Sequence, residues 1–452
     1  MGRYFGTDGF RGEANKALTA QKAFQVGRYL GWYYGQAHED GRARIIIGKD
    51  TRRSSYMLES ALSAGLTSSG ADAYLLHVTT TPSVSYCCRT DGFDCGIMIS
   101  ASHNPFYDNG IKIMRANGQK IEPEIEAKIE DYIDGKIDEI PLAEREKIGN
   151  IIDYAAGRNR YIGYLMTIPT RAFNGMKIGL DCANGASWNI ARSVFEALGA
   201  KVFVINNTPD GLNINAGCGS THMEVLKQFV KDNGLNVGFA YDGDADRCLA
   251  VDELGNEVNG DQIMFLCGKY LKETGRLDGN TIVTTIMSNM GLYKACEAIG
   301  VRTEKTNVGD KYVAENMMAN GFVIGGEQSG HIIFAKYATT GDGILTSLMI
   351  MMTMLDKKLP LSMLAGEMKI YPQCLKNVVV KDKEAAQQNP AVLAGVEAVN
   401  KALAGDGRML LRASGTEPKI RVMVEAKTDE ICEKYVDQLI EVIKAEGLAA
   451  ES

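Results

Sequence analysis

Asp242, Asp244 and Asp246 stand two residues apart in Tyr241-Asp242-Gly243-Asp244-Ala245-Asp246-Arg247. Three carboxylates that close demand a cation. If the apolar strand before them runs on, all three project from one face. Hard oxygen ligands suit Mg2+, which would take the carboxylates together with an oxygen from a substrate or a phosphoserine. A calcium loop of the EF-hand type is the competing pattern, because Glu253 completes its positions one, three, five and twelve. Arg247, however, stands where that loop needs glycine, and the flanks 236–241 and 248–251 read as strands rather than helices.

Three further loops share this design, an apolar strand delivering polar groups at its end. They are Ser100-Ala101-Ser102-His103-Asn104-Pro105, Glu327-Gln328-Ser329-Gly330-His331 and Arg412-Ala413-Ser414-Gly415-Thr416-Glu417-Pro418. In open α/β sheets the crevice outside the strand ends is where ligands gather, because helices cover both faces. Taken alone, the serine loop reads more readily as an ordinary strand-to-helix turn with a Ser cap. His103 beside Ser102 suggests a Ser-His hydrolase, but neighbours in an extended stretch point apart, so a base must come from elsewhere. Ser102 is expected to be exposed in its loop. Arg412, Ser414, Thr416 and Arg421 put two guanidinium forks and two hydroxyls around a tight hairpin turn that includes Gly415, which is how a phosphate is held. An exposed turn with incidental arginines is the plainer alternative. Glu327 and Ser329 suit sugar hydroxyls or an amine, with His331 and Lys112 as proton carriers, although a lone His is more often structural.

These loops, in this order and preceded by Gly6-Thr7-Asp8-Gly9-Phe10-Arg11-Gly12, closely resemble the motifs of the α-D-phosphohexomutases over almost the whole chain. Five motifs in the family's order are specific, where Ser-His-Asn-Pro alone is weak. The resemblance implies an isomerase-class phosphotransferase in which Ser102 carries the phosphate, with Ser100 the lesser candidate. A phosphoserine beside three carboxylates needs a metal and nearby cations, for which Arg11, Lys112 and Arg247 are the candidates. One Mg2+ per site would be held by Ser102, Asp242, Asp244 and Asp246. Arg247, Glu327, Ser329, Arg412, Ser414, Gly415, Thr416 and Arg421 would bind substrate. Phospho-Ser102 would phosphorylate the free hydroxyl of a hexose monophosphate, the bisphosphate would turn around, and the serine would recover a phosphate from the other end.

The Gly325-Gly326-Glu327-Gln328-Ser329-Gly330-His331 version implies glucosamine 6-phosphate and glucosamine 1-phosphate as the substrate pair, glucosamine 1,6-bisphosphate as intermediate and activator, and supply of cell-wall peptidoglycan precursors. Glucose or mannose phosphates on the same machinery stay open, as do a metal-dependent sugar-phosphate phosphatase and a non-catalytic sensor. An intact Ser102, triad and final loop argue against the sensor. Ala245 departs from the Gly that many members carry, and its Cβ would restrict the backbone near the metal.

The elements that must position these loops alternate as α/β folds require. With 452 residues and 45% apolar content, length alone sets an expectation of about three domains. The resemblance implies three α/β/α domains with mixed sheets plus a smaller C-terminal α+β domain. The segments are 1–152 with the serine loop, 153–253 with the metal loop, 254–367 with the sugar-recognition loop and 368–452 with the phosphate loop. Within them, 20–34 and 188–198 read as helices, 45–47, 177–181, 201–205, 281–285 and 321–324 as strands, and Ile121, Ile125, Ile129 and Ile133 as one face of a surface helix. Residues 408–412 and 420–424 read as an antiparallel hairpin, followed by a helix after Thr428.

A net charge of -7 without a long basic run argues against nucleic-acid or anionic-membrane partners, leaving a small-molecule sugar phosphate. Ten cysteines without zinc spacing, and no secretory signal at the start, fit reduced thiols in the cytoplasm. The Met-rich run 348–355 is too short to cross a bilayer and reads as a buried helix. A homodimer is an open arrangement.

Overall fold

The computed structural model describes residues 2–6, 8–413 and 418–450. Ser414, Gly415 and Thr416 lie outside them. The described chain forms two compact units, Met1–Met287 with Val301–Gly366, and Ser288–Gly300 with Glu367–Ser452.

The first unit holds three mixed sheets. The first sheet has seven strands in the order Phe5–Gly6, Gly9–Glu13, Asp108–Arg115, Cys95–Ile99, Arg44–Lys49, Asp72–Val78, Ile151–Asp153. Cys95–Ile99 is buried throughout, parallel to Arg44–Lys49 and antiparallel to Asp108–Arg115, so its apolar run has no solvent face to alternate for. Helices Ala20–Gly35 and Arg53–Ser68 cover one face. They approach closely because Gly27 and Gly65 meet there; a Cβ on Gly65 would lie 2.2 Å from the Phe24 carbonyl oxygen. Ile45, Ile47, Ile97 and Leu62 fill this side, while Ile46, Met98, Leu76, Phe93 and Val84 of helix Thr81–Thr90 fill the other.

The second sheet runs Glu257–Val258, Cys248–Asp252, Val237–Tyr241, Lys177–Asp181, Lys201–Ile205, and the third runs Arg302–Thr306, Thr281–Thr285, Ile324–Gly326, Ile332–Phe334. In both, a parallel strand turns back through a short loop into an antiparallel neighbour, at Tyr241/Cys248 and Gly326/Ile332. Those two returns carry the acidic loop and the Glu327–His331 loop. Helix Gly343–Lys357 is buried from Gly343 through Met354, as its Met-rich composition predicts. No helix among the described residues is long and apolar enough to cross a membrane.

Two element limits shift by three residues from the sequence reading, and Ile121 stands before helix Pro123–Ile133, which carries Ile125, Ile129 and Ile133. The expected helix from Trp188 begins at Ala191, because the preceding turn is tied down by the Ala186 N–H donating to the Gly243 carbonyl at 2.8 Å. The strand expected from Gly321 starts at Ile324. Gly321, at φ 68°, instead closes helix Asp310–Asn320 in the left-handed conformation that glycine adopts freely.

The second unit has the antiparallel sheet Gln373–Val379, Lys419–Glu425, Arg408–Ala413, with helices Pro390–Leu403 and Asp429–Ala445. Helix Met290–Ala298 joins this unit rather than the segment around it. The reason is a buried polar knot: the Glu425 carboxylate accepts from Asn289 Nδ2 at 3.2 Å and the Met290 N–H at 3.2 Å and pairs with Arg408 at 2.6 Å.

Candidate active site

Three buried strands of the first unit end at one place. Main-chain bonds tie the acidic loop to its surroundings: Thr81 N–H to the Asp244 carbonyl at 3.0 Å, Gly343 N–H to the Ala245 carbonyl at 2.9 Å, and, to the Glu327–His331 loop, Cys248 N–H to the Gly330 carbonyl at 3.0 Å and an Arg247–His331 bridge.

The strand Val237–Tyr241 does not run on through the acidic residues. Residues 242–247 form a tight turn, closed by the Ala245 N–H on the Asp242 carbonyl at 3.1 Å, with Ala245 at φ 56°. The carboxylates therefore converge because the chain reverses, not because a pleat alternates. Ala245 accepts a left-handed conformation that costs an L-residue roughly 1–2 kcal/mol, the backbone restriction expected at this position. Oxygens of Asp242, Asp244 and Asp246 lie within 4.8 Å of one another, and all three residues are buried.

Ser102 is buried as well, 1% exposed, against the expectation of an exposed loop. Its Oγ donates to Asp242 Oδ2 at 2.6 Å. Lys112 Nζ lies 2.8 Å from Asp244 Oδ2, 3.0 Å from Asp246 Oδ2 and 3.1 Å from Asp8 Oδ2. The Thr81 hydroxyl also donates to Asp244 Oδ2. Asp244 Oδ1 and Asp246 Oδ1 are buried with no hydrogen-bond partner among the described residues. Orphaned carboxylate oxygens in a dry site are costly, and a hard divalent cation satisfies them, so the donor set fits Mg2+.

Electrostatics agree with that crowding. Burial, then Asp246 and Asp244, push the Asp242 carboxyl well above the usual carboxylate range. Burial opposes the charge on Lys112, but Asp244, Asp246 and Asp8 overcome it and hold the ammonium well above its ordinary value. Asp8 is half-buried, its side chain 22% exposed, and Lys112, Lys120 and Arg11 outweigh that burial and bring its carboxyl well below the usual range. Arg11 pairs with Asp8 and reaches the Ala101 carbonyl at 3.4 Å, under the serine loop. Arg247 Nε is buried and unpartnered among the described residues.

His103 corrects a second expectation. Ser102 is not extended but left-handed, at φ 53°, and this brings His103 Nδ1 to 3.3 Å from the serine Oγ. Burial, Arg247 and Arg11 lower its pKa to about 4, so the ring is neutral around pH 7. The unfolded chain titrates near 6.5 and therefore binds the extra proton between the two values. This group's contribution to stability is full above about 6.5 and is lost as pH falls toward 4. His103→Gln is expected to shrink the fall in urea midpoint between about pH 7 and pH 5, and an unchanged fall would contradict this placement.

His331 is 4% exposed. Its Nε2 accepts from the Gly341 N–H at 3.3 Å and lies 3.7 Å from Asp310 Oδ2. Nδ1 is buried without a partner among the described residues. Glu327 Oε1 accepts from the Gly309 N–H at 3.0 Å, and Ser329 is exposed. Lys120 bridges Asp8 at 2.9 Å and Asp310 at 2.8 Å. In the C-terminal unit, Arg412 and Arg421 are direct cross-strand partners, with Arg421 exposed.

Several participants escaped the sequence reading. Asp50 and Arg52 follow strand Arg44–Lys49, another strand end of the kind already singled out, and are fully buried. Thr81, Asp310 and Asn215 carry no local signal, since each acts on a residue distant in the chain.

Comparison with known proteins fits this architecture. Domains I, II and III, each alpha/beta/alpha, and the C-terminal domain of the phosphoglucomutase/phosphomannomutase family match residues 2–139, 159–255, 259–371 and 375–442. The chain belongs to this family of α-D-phosphohexomutases, with three α/β domains and a smaller C-terminal one. Its end-to-end relatives are phosphoglucosamine mutases: that of Lachnospira eligens is 64% identical over 99% of this chain and 100% of its own, and that of Lachnoclostridium phytofermentans 62% identical over 99% of each. Among solved structures, a family member from Burkholderia thailandensis superposes with a TM-score of 0.81 at 22% identity, covering 100% of this chain and 99% of its own, which speaks for the fold. The Aspergillus fumigatus N-acetylphosphoglucosamine mutase, in complex with GlcNAc-6P and magnesium, gives 0.69 at 18% identity over 99% and 96%.

Proposed function

We propose that this chain interconverts glucosamine 6-phosphate and glucosamine 1-phosphate, with Ser102 carrying the phosphoryl group. The observation that carries the reading is the buried Ser102 hydroxyl, 2.6 Å from Asp242, in a triad with two orphaned carboxylate oxygens. The names of the end-to-end relatives support the sugar.

Asp242, Asp244, Asp246 and an oxygen on Ser102 would hold Mg2+, which when bound supplies positive charge to offset that on the transferring group. Arg11 and Arg247 stabilise the same charge from this chain's side. Lys112, kept protonated by three carboxylates, serves as a fixed cation rather than a base. His331 is left as the proton carrier, through its unpartnered Nδ1. In the step itself a sugar hydroxyl oxygen bonds to phosphorus, the bond from phosphorus to Ser102 Oγ breaks, and the hydroxyl proton leaves through a base. The resulting 1,6-bisphosphate returns its other phosphate to Ser102. Glu327 and Ser329 recognise the sugar.

Arg412, Ser414, Gly415, Thr416 and Arg421 hold the phosphate that is not reacting. Because that grip keeps the reacting end in line, Arg421→Ala is expected to raise KM and lower kcat together. Steady-state kinetics in which neither moves would remove the hairpin from the site.

The working limits 1–152, 153–253, 254–367 and 368–452, a cytoplasmic location and a homodimer stand as proposals alongside. Turnover of glucosamine, glucose and mannose 1-phosphates tests the sugar: kcat/KM is expected to be highest for glucosamine, and an equal or higher value for either neutral sugar contradicts it.

A further inference from the structure

We propose that Asn215 and Arg52 are positioning residues that clamp the Ser102 peptide in its left-handed conformation, so that Oγ faces Asp242 for phosphoryl transfer. The proposal rests on Ser102 as phosphate carrier. Both residues grip the same two carbonyl oxygens. Arg52 Nη2 donates to Ser102 O at 3.1 Å and Asn104 O at 2.6 Å, while Asn215 Nδ2 donates to the same oxygens at 2.9 and 3.1 Å. A carbonyl oxygen has two lone pairs, so each acceptor is filled by one donor from the first sheet's side and one from the second's.

Neither jaw is free to drift. Arg52 is fully buried and paired with Asp50, whose Oδ1 also accepts from the Arg52 N–H at 2.9 Å and from Ser55 at 2.8 Å. Asn215 is itself left-handed, at φ 58°, with its N–H on the Ala183 carbonyl at 2.9 Å. Behind the clamped carbonyl lies Gly243 of the metal turn, where a Cβ would stand 2.5 Å from Ser102 O. Main chain therefore packs against main chain at that spot.

Serine does not choose φ 53° unaided; surroundings must over-determine it. Returning to negative φ would swing this peptide off both donors and carry Oγ away from Asp242. A clamp on the main chain also holds through the catalytic cycle, since it does not depend on whether Oγ bears a phosphate. Neither residue needs to touch the sugar to set the rate, because misplacing a reacting atom by about 1 Å costs on the order of a hundredfold.

The test uses two full-length variants at Asn215. Asn215→Gly keeps a backbone that accepts positive φ and removes the amide. Asn215→Asp keeps the shape but turns an acceptor onto both carbonyls. Against wild type, Asn215→Gly is expected to lose about tenfold or more in kcat with KM unchanged, and Asn215→Asp to lose more, which a space-filling role would not produce. In a crystal structure of Asn215→Gly, Ser102 is expected to leave the left-handed region. Loss confined to KM, kcat of both variants within about twofold of wild type, or an unmoved Ser102 φ each overturns the clamp. A wild-type protein inactive on every sugar phosphate would refute the proposed function instead, and the Ser102 φ would still decide the clamp.

Discussion

Ser102→Ala is expected to abolish mutase turnover, a loss on the order of 10^4-fold or more, because the change deletes the atom to which phosphorus is bonded. Cations and carboxylates around it would remain, but with no covalent carrier they have nothing to stabilise. The fold should survive. Ser102 Oγ donates one strong bond, to Asp242, and Asp242 is already pushed toward its protonated form by burial and its two acidic neighbours. Removing that donor costs about 1–3 kcal/mol, a large-looking figure that moves the melting temperature of a chain this size by only a few degrees. Turnover and thermal melting measured on one preparation check both halves. Residual activity above about 1% of wild type would mean that another group carries the phosphate.

Lys112→Met is expected to have the next largest effect, and it shows in stability as well as rate. One buried ammonium, 6% exposed, is shared by Asp8, Asp244 and Asp246 within 3.1 Å. Removing one partner of a buried charge set typically costs about 3–5 kcal/mol, because the others stay buried and uncompensated. Metal-free protein should therefore melt markedly lower than wild type. Added Mg2+ should recover much of that loss, since Asp244 and Asp246 are the carboxylates both cations neutralise, while Asp8 keeps Lys120 and Arg11. Equal destabilisation with and without Mg2+ would contradict a shared acidic pocket.

Much of this site was legible because each loop follows an apolar strand, and buried strands announce themselves as short unbroken apolar runs. Cys95–Ile99 and Val237–Tyr241 are buried at every position, so the polar residues after them had to sit at a strand end. What the chain does after the strand was not legible. Ser102 at φ 53° and Ala245 at φ 56° are conformations that Ser and Ala rarely adopt, imposed by partners far away in sequence. Extending the strand through either position gave the wrong neighbours, which is why the Ser102–His103 approach and the reversal of the acidic loop were missed. Thr81 and Asn215 were invisible for the same reason, since each meets its target over a hundred residues away, whereas Arg52 stood at a strand end like those singled out. Helix Met290–Ala298 joined the C-terminal unit through Glu425, over a hundred residues on, a polar contact that no local periodicity encodes.

The central claim is that Ser102 hands its phosphate to sugar and not to water. Enzyme labelled on the Ser102 phosphate, mixed with unlabelled glucosamine 1-phosphate, tests it in one time course. The label is expected first in glucosamine 1,6-bisphosphate, then in the monophosphates, with inorganic phosphate rising only slowly, because bound sugar keeps water from the transferring phosphate while the bisphosphate turns. Labelled inorganic phosphate appearing as fast as the sugar turns over would make this chain a hydrolase and contradict the account.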